Sequence, residues 1–171
     1  MADNIPSKLK TDFNIPNNLQ IIPLELNFRK QKWLYVSVYR PPKDSLGIFL
    51  EFLSSLIDYY SNNFENILVM GDMNAEVADP RMTHFVETHN MYSHIKEKTC
   101  WKSPDGSCID LVLSNKKHSF IHNGTAETGL SDHHSLVYTI FKTKFSKDEP
   151  RKITYRSYRN FKEDAFFSGI K

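Results

Sequence analysis

Ile67-Leu68-Val69-Met70-Gly71-Asp72-Met73-Asn74 is the stretch that decides the fold. A short, continuous apolar run is the pattern of a strand buried on both faces, and such strands lie in sheets covered by helices. Gly71 and Asp72 follow at its carboxyl end. Upstream, Leu46, Phe49, Leu50, Leu53, Ile57 and Tyr60 fall at helical spacing, with Asp44 or Ser45 as the cap. Further upstream, Trp33-Leu34-Tyr35-Val36-Ser37-Val38-Tyr39 is rich in β-branched and aromatic residues and reads as a strand that Pro41-Pro42 stops. Strand, helix and strand in this order indicate an α/β layered domain rather than a pure β-sandwich.

The flanking sequence extends that plan. Leu19 to Phe28 reads as a strand, and Pro23 within it argues for an edge position. Arg29-Lys30-Gln31-Lys32 makes a charged turn into the next strand. Asp79 as cap and Pro80 at the first helical position open a shorter helix that runs to about Thr88. Pro104-Asp105-Gly106 marks a turn, and two more strands span Ile109 to Leu113 and Leu136 to Phe141. With 171 residues, 40% of them hydrophobic, the chain suits one domain with a real core.

Composition excludes some classes. No apolar run approaches the roughly 18 residues of a membrane span. Met1-Ala2-Asp3-Asn4 is polar and carries no signal-peptide pattern, so a soluble intracellular protein is expected. A net charge of +2 neither demands nor excludes a nucleic-acid partner. Basic residues from Lys142 to Arg159 crowd the carboxyl end, interleaved with Tyr155, Tyr158 and Phe161. They form either a solvated tail or one that contacts phosphates. Cys100 and Cys108 are the only cysteines and are expected to be reduced. His84, His89 and His94 recur every five residues, fall on no single helical face, and read as surface residues.

Three stretches carry chemistry: Gly71-Asp72-Met73-Asn74, Cys108-Ile109-Asp110 and Ser131-Asp132-His133. Asp110 interrupts an apolar strand whose Ile109, Leu111 and Leu113 share one face, leaving Asp110 on the other with Cys108 and Val112. A buried carboxylate is costly unless paired, and His133 is the partner on offer. The carboxylate would fix the imidazole tautomer and leave the second ring nitrogen for a phosphate oxygen or leaving group. In extended backbone Asp132 points the opposite way and can serve a metal. Asp72 and Asn74, two apart, project to one side, where a carboxylate can deprotonate a water while an amide donates to a phosphoryl oxygen. Both roles suit phosphodiester hydrolysis. Each stretch also has a plainer reading, as a strand-ending turn, a structural hydrogen bond or a polar loop.

Together with Tyr39-Arg40-Pro41-Pro42, Thr99-Cys100-Trp101 and Leu130-Ser131-Asp132-His133, these motifs resemble the endonuclease/exonuclease/phosphatase superfamily. More narrowly, they resemble the endonuclease domain of non-LTR (LINE-type) retrotransposon polyproteins. The resemblance covers roughly residues 8 to 167. It implies a deoxyribonuclease I-like two-sheet α/β sandwich over residues 8–145. Residues 146–171 would be a basic, aromatic connector toward a reverse transcriptase. It implies that Tyr39 contacts the scissile phosphate, Asp72 orients the attacking water and Asn74 steadies the phosphoryl group. Asp110 would pair with His133, which stabilises the transition-state charge. Asp132, with Asp72 and Asn74, would hold Mg²⁺ or Mn²⁺. The implied partner is DNA and the implied location nuclear.

One departure stands out. The family's amino-terminal portion supplies a strand-borne Asn and then a metal-binding Glu, and neither Glu25 nor Glu76 matches that motif. The expectation is therefore a partial sandwich lacking its first strands, a fragment weakly active or inactive as a nuclease. Two other readings stand beside it: a non-catalytic nucleic-acid-binding remnant, and a small-molecule phosphodiesterase or phosphatase of the same superfamily.

Overall fold

The computed structural model describes residues 5–28, 31–127, 129 and 135–142. Its strands are β1 (Ser7–Leu9), β2 (Gln20–Phe28), β3 (Gln31–Tyr39), β4 (Asn66–Asp72), β5 (Tyr92–Ser93), β6 (Asp110–Ser114), β7 (Phe120–Glu127) and β8 (Ser135–Phe141). Its α-helices are α1 (Leu46–Ser61) and α2 (Pro80–Thr88). A six-stranded sheet has the order β1-β2-β3-β4-β6-β5, and β7 and β8 form a second, two-stranded sheet. The described residues thus form an α/β sandwich of two sheets and two α-helices, as the family resemblance implies.

The parallel pairing of β3 with β4 sets the layout. Parallel neighbours need a crossover, and α1 supplies it. Ser45 rather than Asp44 caps α1, its hydroxyl accepting from the Ile48 N–H at 3.4 Å. The helix buries Phe49, Leu50, Leu53, Leu56, Ile57 and Tyr60 against Leu34, Val36 and Val38 of β3, Ile67 and Val69 of β4, and Leu111 and Leu113 of β6. Met82 and Phe85 of α2 join the same cluster. The alternate residues of these strands, Trp33, Leu68 and Val112, face the second sheet and pack on Phe120, Val137 and Phe141. β4 is therefore covered on both faces, which explains its unbroken apolar run.

Several details differ from the sequence reading. Pro23 is not on an edge strand: β2 pairs with β3 along its whole length and with β1 from Leu24 to Leu26. Pro23 stands where the β1 pairing ends: its carbonyl accepts from the Lys10 N–H at 3.0 Å, and the reciprocal bond that an N–H would make is missing. β7 carries little β-branched signal but pairs with β8 from Phe120 to Glu127, past a register shift between Phe120 and His122. Of the three histidines read as surface residues, His84 is exposed, whereas His89 and His94 are half-buried. Desolvation pushes both imidazoles below their ordinary pKa, with Asp58 opposing the shift at His89. His89 touches Ser54 Oγ at 3.0 Å, and His94 touches Ser114 Oγ at 3.1 Å. Residues 146–171, read as a connector, lie outside the described residues.

Helix α2 begins as anticipated, with Asp79 as cap and Pro80 in the first turn. The Arg81 guanidinium first, and its backbone N–H second, hold the Asp79 carboxyl down to about 2. Because the folded value lies below the unfolded value of 3.8, this contribution to stability is complete above 3.8 and lost as pH falls through about 2. The stability difference between the wild type and Asp79→Asn should therefore shrink over that window in acid-side urea melts. In the core, Leu53 is 0% and Ile48 65% exposed. Leu53→Ala should cost about 2–5 kcal/mol and Ile48→Ala no more than about 0.5 kcal/mol, both read from urea midpoints.

Candidate active site

Register brings three of the sequence-predicted site residues into one row. Tyr39 of β3 is the Cα partner of Asp72 of β4, and Asp72 is the partner of Asp110 of β6. Opposed residues on neighbouring strands share a face. Strand alternation assigns this row to the face of Trp33, Leu68, Met70 and Val112, which the second sheet covers farther along. The row lies at the carboxyl ends of β3 and β4, where α/β sheets commonly bind ligands. Tyr39 is 40% exposed, while Asp72 and Asp110 are half-buried rather than fully buried as the sequence suggested. Both carboxylates make further interactions in the folded chain.

Gly71 makes the approach to Asp72 possible. Its φ is +151°, and a Cβ there would lie 1.8 Å from the Val38 carbonyl oxygen. No rotamer change relieves a clash with backbone, so only glycine fits. After Asp72 the chain turns sharply. The N–H of the fully buried Met73 donates to the Ile109 carbonyl at 3.0 Å, tying the turn to the strand that leads into Asp110. Asn74 has φ +45°, in the left-handed region. Its backbone N–H donates to Asp72 Oδ1 at 2.9 Å and its amide Nδ2 to Asp72 Oδ2 at 3.2 Å. Asp72 and Asn74 thus converge, though through a turn rather than the extended backbone anticipated from their spacing.

Thr99 does the corresponding work for Asp110. It is fully buried, and its Oγ1 accepts from the backbone N–H groups of both Ile109 and Asp110 at 3.1 Å. Cys100 and Ser107 bridge the segment between them, and Gly106 turns it at φ +62° beneath the half-exposed Trp101 ring. Glu76 Oε1 accepts from the Cys108 N–H at 3.1 Å and lies 3.6 Å from Lys98 Nζ. Cys108 and Cys100 form no disulfide. Desolvation, reinforced by the negative charges of Glu76 and Asp110, pushes the Cys108 thiol up to about 11, so it is no nucleophile near neutral pH.

The structure therefore assembles Tyr39, Asp72, Asn74 and Asp110. Ser131, Asp132 and His133 lie outside the described residues. Sequence reasoning quoted Arg40 and Thr99 only as parts of motifs and gave neither a role. A hydroxyl at Thr99 carries no visible mark of its fold position. Arg40, a cation at a strand end directly before Pro41-Pro42, was the more legible signal.

The donor chemistry around this row is oxygen. Opposed residues on neighbouring strands share a face, so the Asp72 and Asp110 carboxylates belong to the same side of the sheet. A hard cation takes oxygen ligands, and the Asp72 carboxylate and the Asn74 carboxamide oxygen are of that chemical kind. Among the described residues no group of three or more His, Cys, Asp or Glu side chains is placed to hold a metal ion. No described helix is long and apolar enough to cross a membrane.

Comparison with known proteins defines the class. A family described as endonuclease-reverse transcriptase, of exonuclease, endonuclease and phosphatase type, matches residues 33–137, more than half of the chain. Solved structures share the fold. The endonuclease domain of TRAS1, a telomere-specific non-LTR retrotransposon, superimposes with a TM-score of 0.67 at 16% identity, covering 82% of this chain and 69% of that one. An endonuclease/exonuclease/phosphatase family protein from Leptotrichia buccalis C-1013-b gives 0.55 at 15% identity, covering 72% and 53%. A functionally unknown conserved protein from Enterococcus faecalis V583 gives 0.51 at 13%, covering 83% and 67%. Comparison with curated protein sequences finds no match. The architecture is that of the endonuclease/exonuclease/phosphatase superfamily, and the chain belongs to the endonuclease-reverse transcriptase family.

The two backbone supports can be tested without reference to activity. Thr99→Val should leave two N–H groups short of an acceptor and cost about 1–3 kcal/mol in urea denaturation, with Thr99→Ser retaining most of the stability. Gly71→Ala should lower the denaturation midpoint sharply, because the added carbon meets a carbonyl oxygen rather than a movable side chain.

Proposed function

We propose that this domain hydrolyses phosphodiester bonds in DNA, nicking one strand to leave a 3′ hydroxyl. The observation that carries the proposal is the single register row of Tyr39, Asp72 and Asp110 at the carboxyl ends of β3 and β4. Asp72 orients a water and takes its proton as the water attacks phosphorus, the P–O3′ bond breaks, and the departing 3′ oxygen takes a proton from solvent to become the hydroxyl. The two hydrogen bonds from Asn74 hold that carboxylate in one orientation, as a positioned general base requires. Tyr39, exposed at the end of β3, donates to a phosphate oxygen. Asp110, anchored through Thr99, is the intended partner of His133, whose role would be to stabilise the charge that develops on the phosphoryl group.

Asp72, Asn74 and Asp132 would hold Mg²⁺, or Mn²⁺ in its place. Such an ion supplies positive charge opposite the phosphate oxygens. Residues 8–145 are read as the catalytic unit and 146–171 as a basic segment that contacts DNA and leads toward a reverse transcriptase. A nuclear location follows from that substrate. The chain spans 69% of the TRAS1 domain and 53% of the Leptotrichia protein.

The test is nicking of supercoiled plasmid in Mg²⁺. Weak nicking that a chelator abolishes is expected, rising when a family-like front segment is fused to the chain. Asp72→Asn and Asp110→Asn should each lower the rate about 10²-fold or more while the protein stays folded. A folded fusion that remains inactive, or variants as active as the wild type, would overturn the site assignment. Faster turnover of a small phosphodiester than of plasmid would transfer the chemistry to a small-molecule substrate.

A further inference from the structure

Arg40 lies directly after Tyr39 and is only 5% exposed. A buried guanidinium is costly unless its donors are satisfied. Here they are met by main-chain oxygens: Nε donates to the Met73 carbonyl at 2.7 Å and Nη2 to the Asn74 carbonyl at 2.6 Å. Nη1 donates to the carbonyls of Asp44 at 2.5 Å and Pro41 at 3.2 Å. The backbone of Arg40 adds two more ties. Its N–H donates to the Asp72 carbonyl, and its carbonyl accepts from Asn74 Nδ2, both at 2.9 Å. Arg40 therefore touches Asp72, Met73 and Asn74 in turn.

One peptide group in that turn is held from both sides. The carbonyl between Met73 and Asn74 accepts from Arg40 Nε, while the N–H of the same peptide donates to Asp72 Oδ1. A cation bonded to an amide oxygen polarises the amide and strengthens its N–H as a donor. The clamp also spans Asn74 in its left-handed conformation, which asparagine adopts more readily than other non-glycine residues. We propose that Arg40 is a positioning residue for the hydrolysis proposed above, on which this inference rests. It orients the Asp72 carboxylate through the Met73–Asn74 peptide and fixes it relative to Tyr39. A phosphate-ligand role is disfavoured, because four of its five guanidinium N–H groups already donate to carbonyl oxygens and the residue is only 5% exposed. Arginine rather than lysine is required, since a single ammonium cannot span several carbonyls with a planar fork.

The test uses the full chain with Arg40→Lys and Arg40→Ala. Nicking rates are normalised to the folded fraction, and the Asn74 amide is followed by hydrogen exchange. Arg40→Lys should lower kcat by about 10²-fold, leave KM within about twofold, and leave the salt dependence of DNA binding unchanged. Added guanidinium ion should restore part of kcat to Arg40→Ala. In both variants the Asn74 N–H should lose protection while amides of β3 and β4 keep theirs. A rise in KM with a salt slope reduced by about 1 would make Arg40 a phosphate contact and overturn the proposal. Unchanged kcat per folded molecule would reduce it to a stabilising residue. If the wild type does not nick DNA, the nuclease reading fails by itself, and exchange at Asn74 still decides the positioning claim. Unaltered protection there overturns it.

Discussion

The parallel ladder between β3 and β4 is the constraint on which the rest of the molecule depends. Two parallel strands cannot be joined by a tight turn, so the chain must leave the sheet, form α1 and return. That excursion covers one face of the sheet with Phe49, Leu53 and Leu56 and leaves the other for the second sheet. It also sets both strands to end at one level. Tyr39 and Asp72 are opposed because Trp33 and Asn66, six residues earlier, are opposed as well. The candidate chemistry is thus fixed by register in the core rather than by loop conformation.

Much of this plan could be read from residues alone. The unbroken Ile67-Leu68-Val69-Met70 run announced a strand covered on both sides, and the Asp79-Pro80 pair announced the start of α2. Two strong local signals, apolar periodicity and capping chemistry, operate there. β7 was missed because His122, Asn123, Gly124 and Glu127 carry no strand signal of their own. It forms because Phe120 finds Trp33 and Phe141, with ring centroids 6.1 and 4.8 Å away. Pro23 misled for a related reason. Its lack of a donor was read as a property of the whole strand, whereas the neighbouring ladder simply stops at that residue.

The candidate site shows the same division. Asp72, Asn74 and Asp110 were legible because polar residues in or beside apolar strands require an explanation. The turn at Asn74 was not, since a left-handed asparagine depends on what surrounds it. The supports that make the site rigid, Arg40 and Thr99, hold it through main-chain oxygens and N–H groups. Backbone partners leave no trace in residue identities, so such contacts are invisible to motif reading. They also explain how half-buried carboxylates keep defined orientations without being sealed from solvent.

Pro23 carries a consequence of a different kind. Among the described residues β1 pairs with β2 only from Leu24 to Leu26, so Gln20 to Ile22 form a margin with no strand beside it on that side, next to the exposed Ile22. Such a margin is a template on which strands of other molecules can add and seed fibrous aggregates. Ending it at a residue with no N–H shortens the run on which an incoming strand could dock. The proline that seemed to disqualify β2 from the interior of the sheet thus limits the length of that margin.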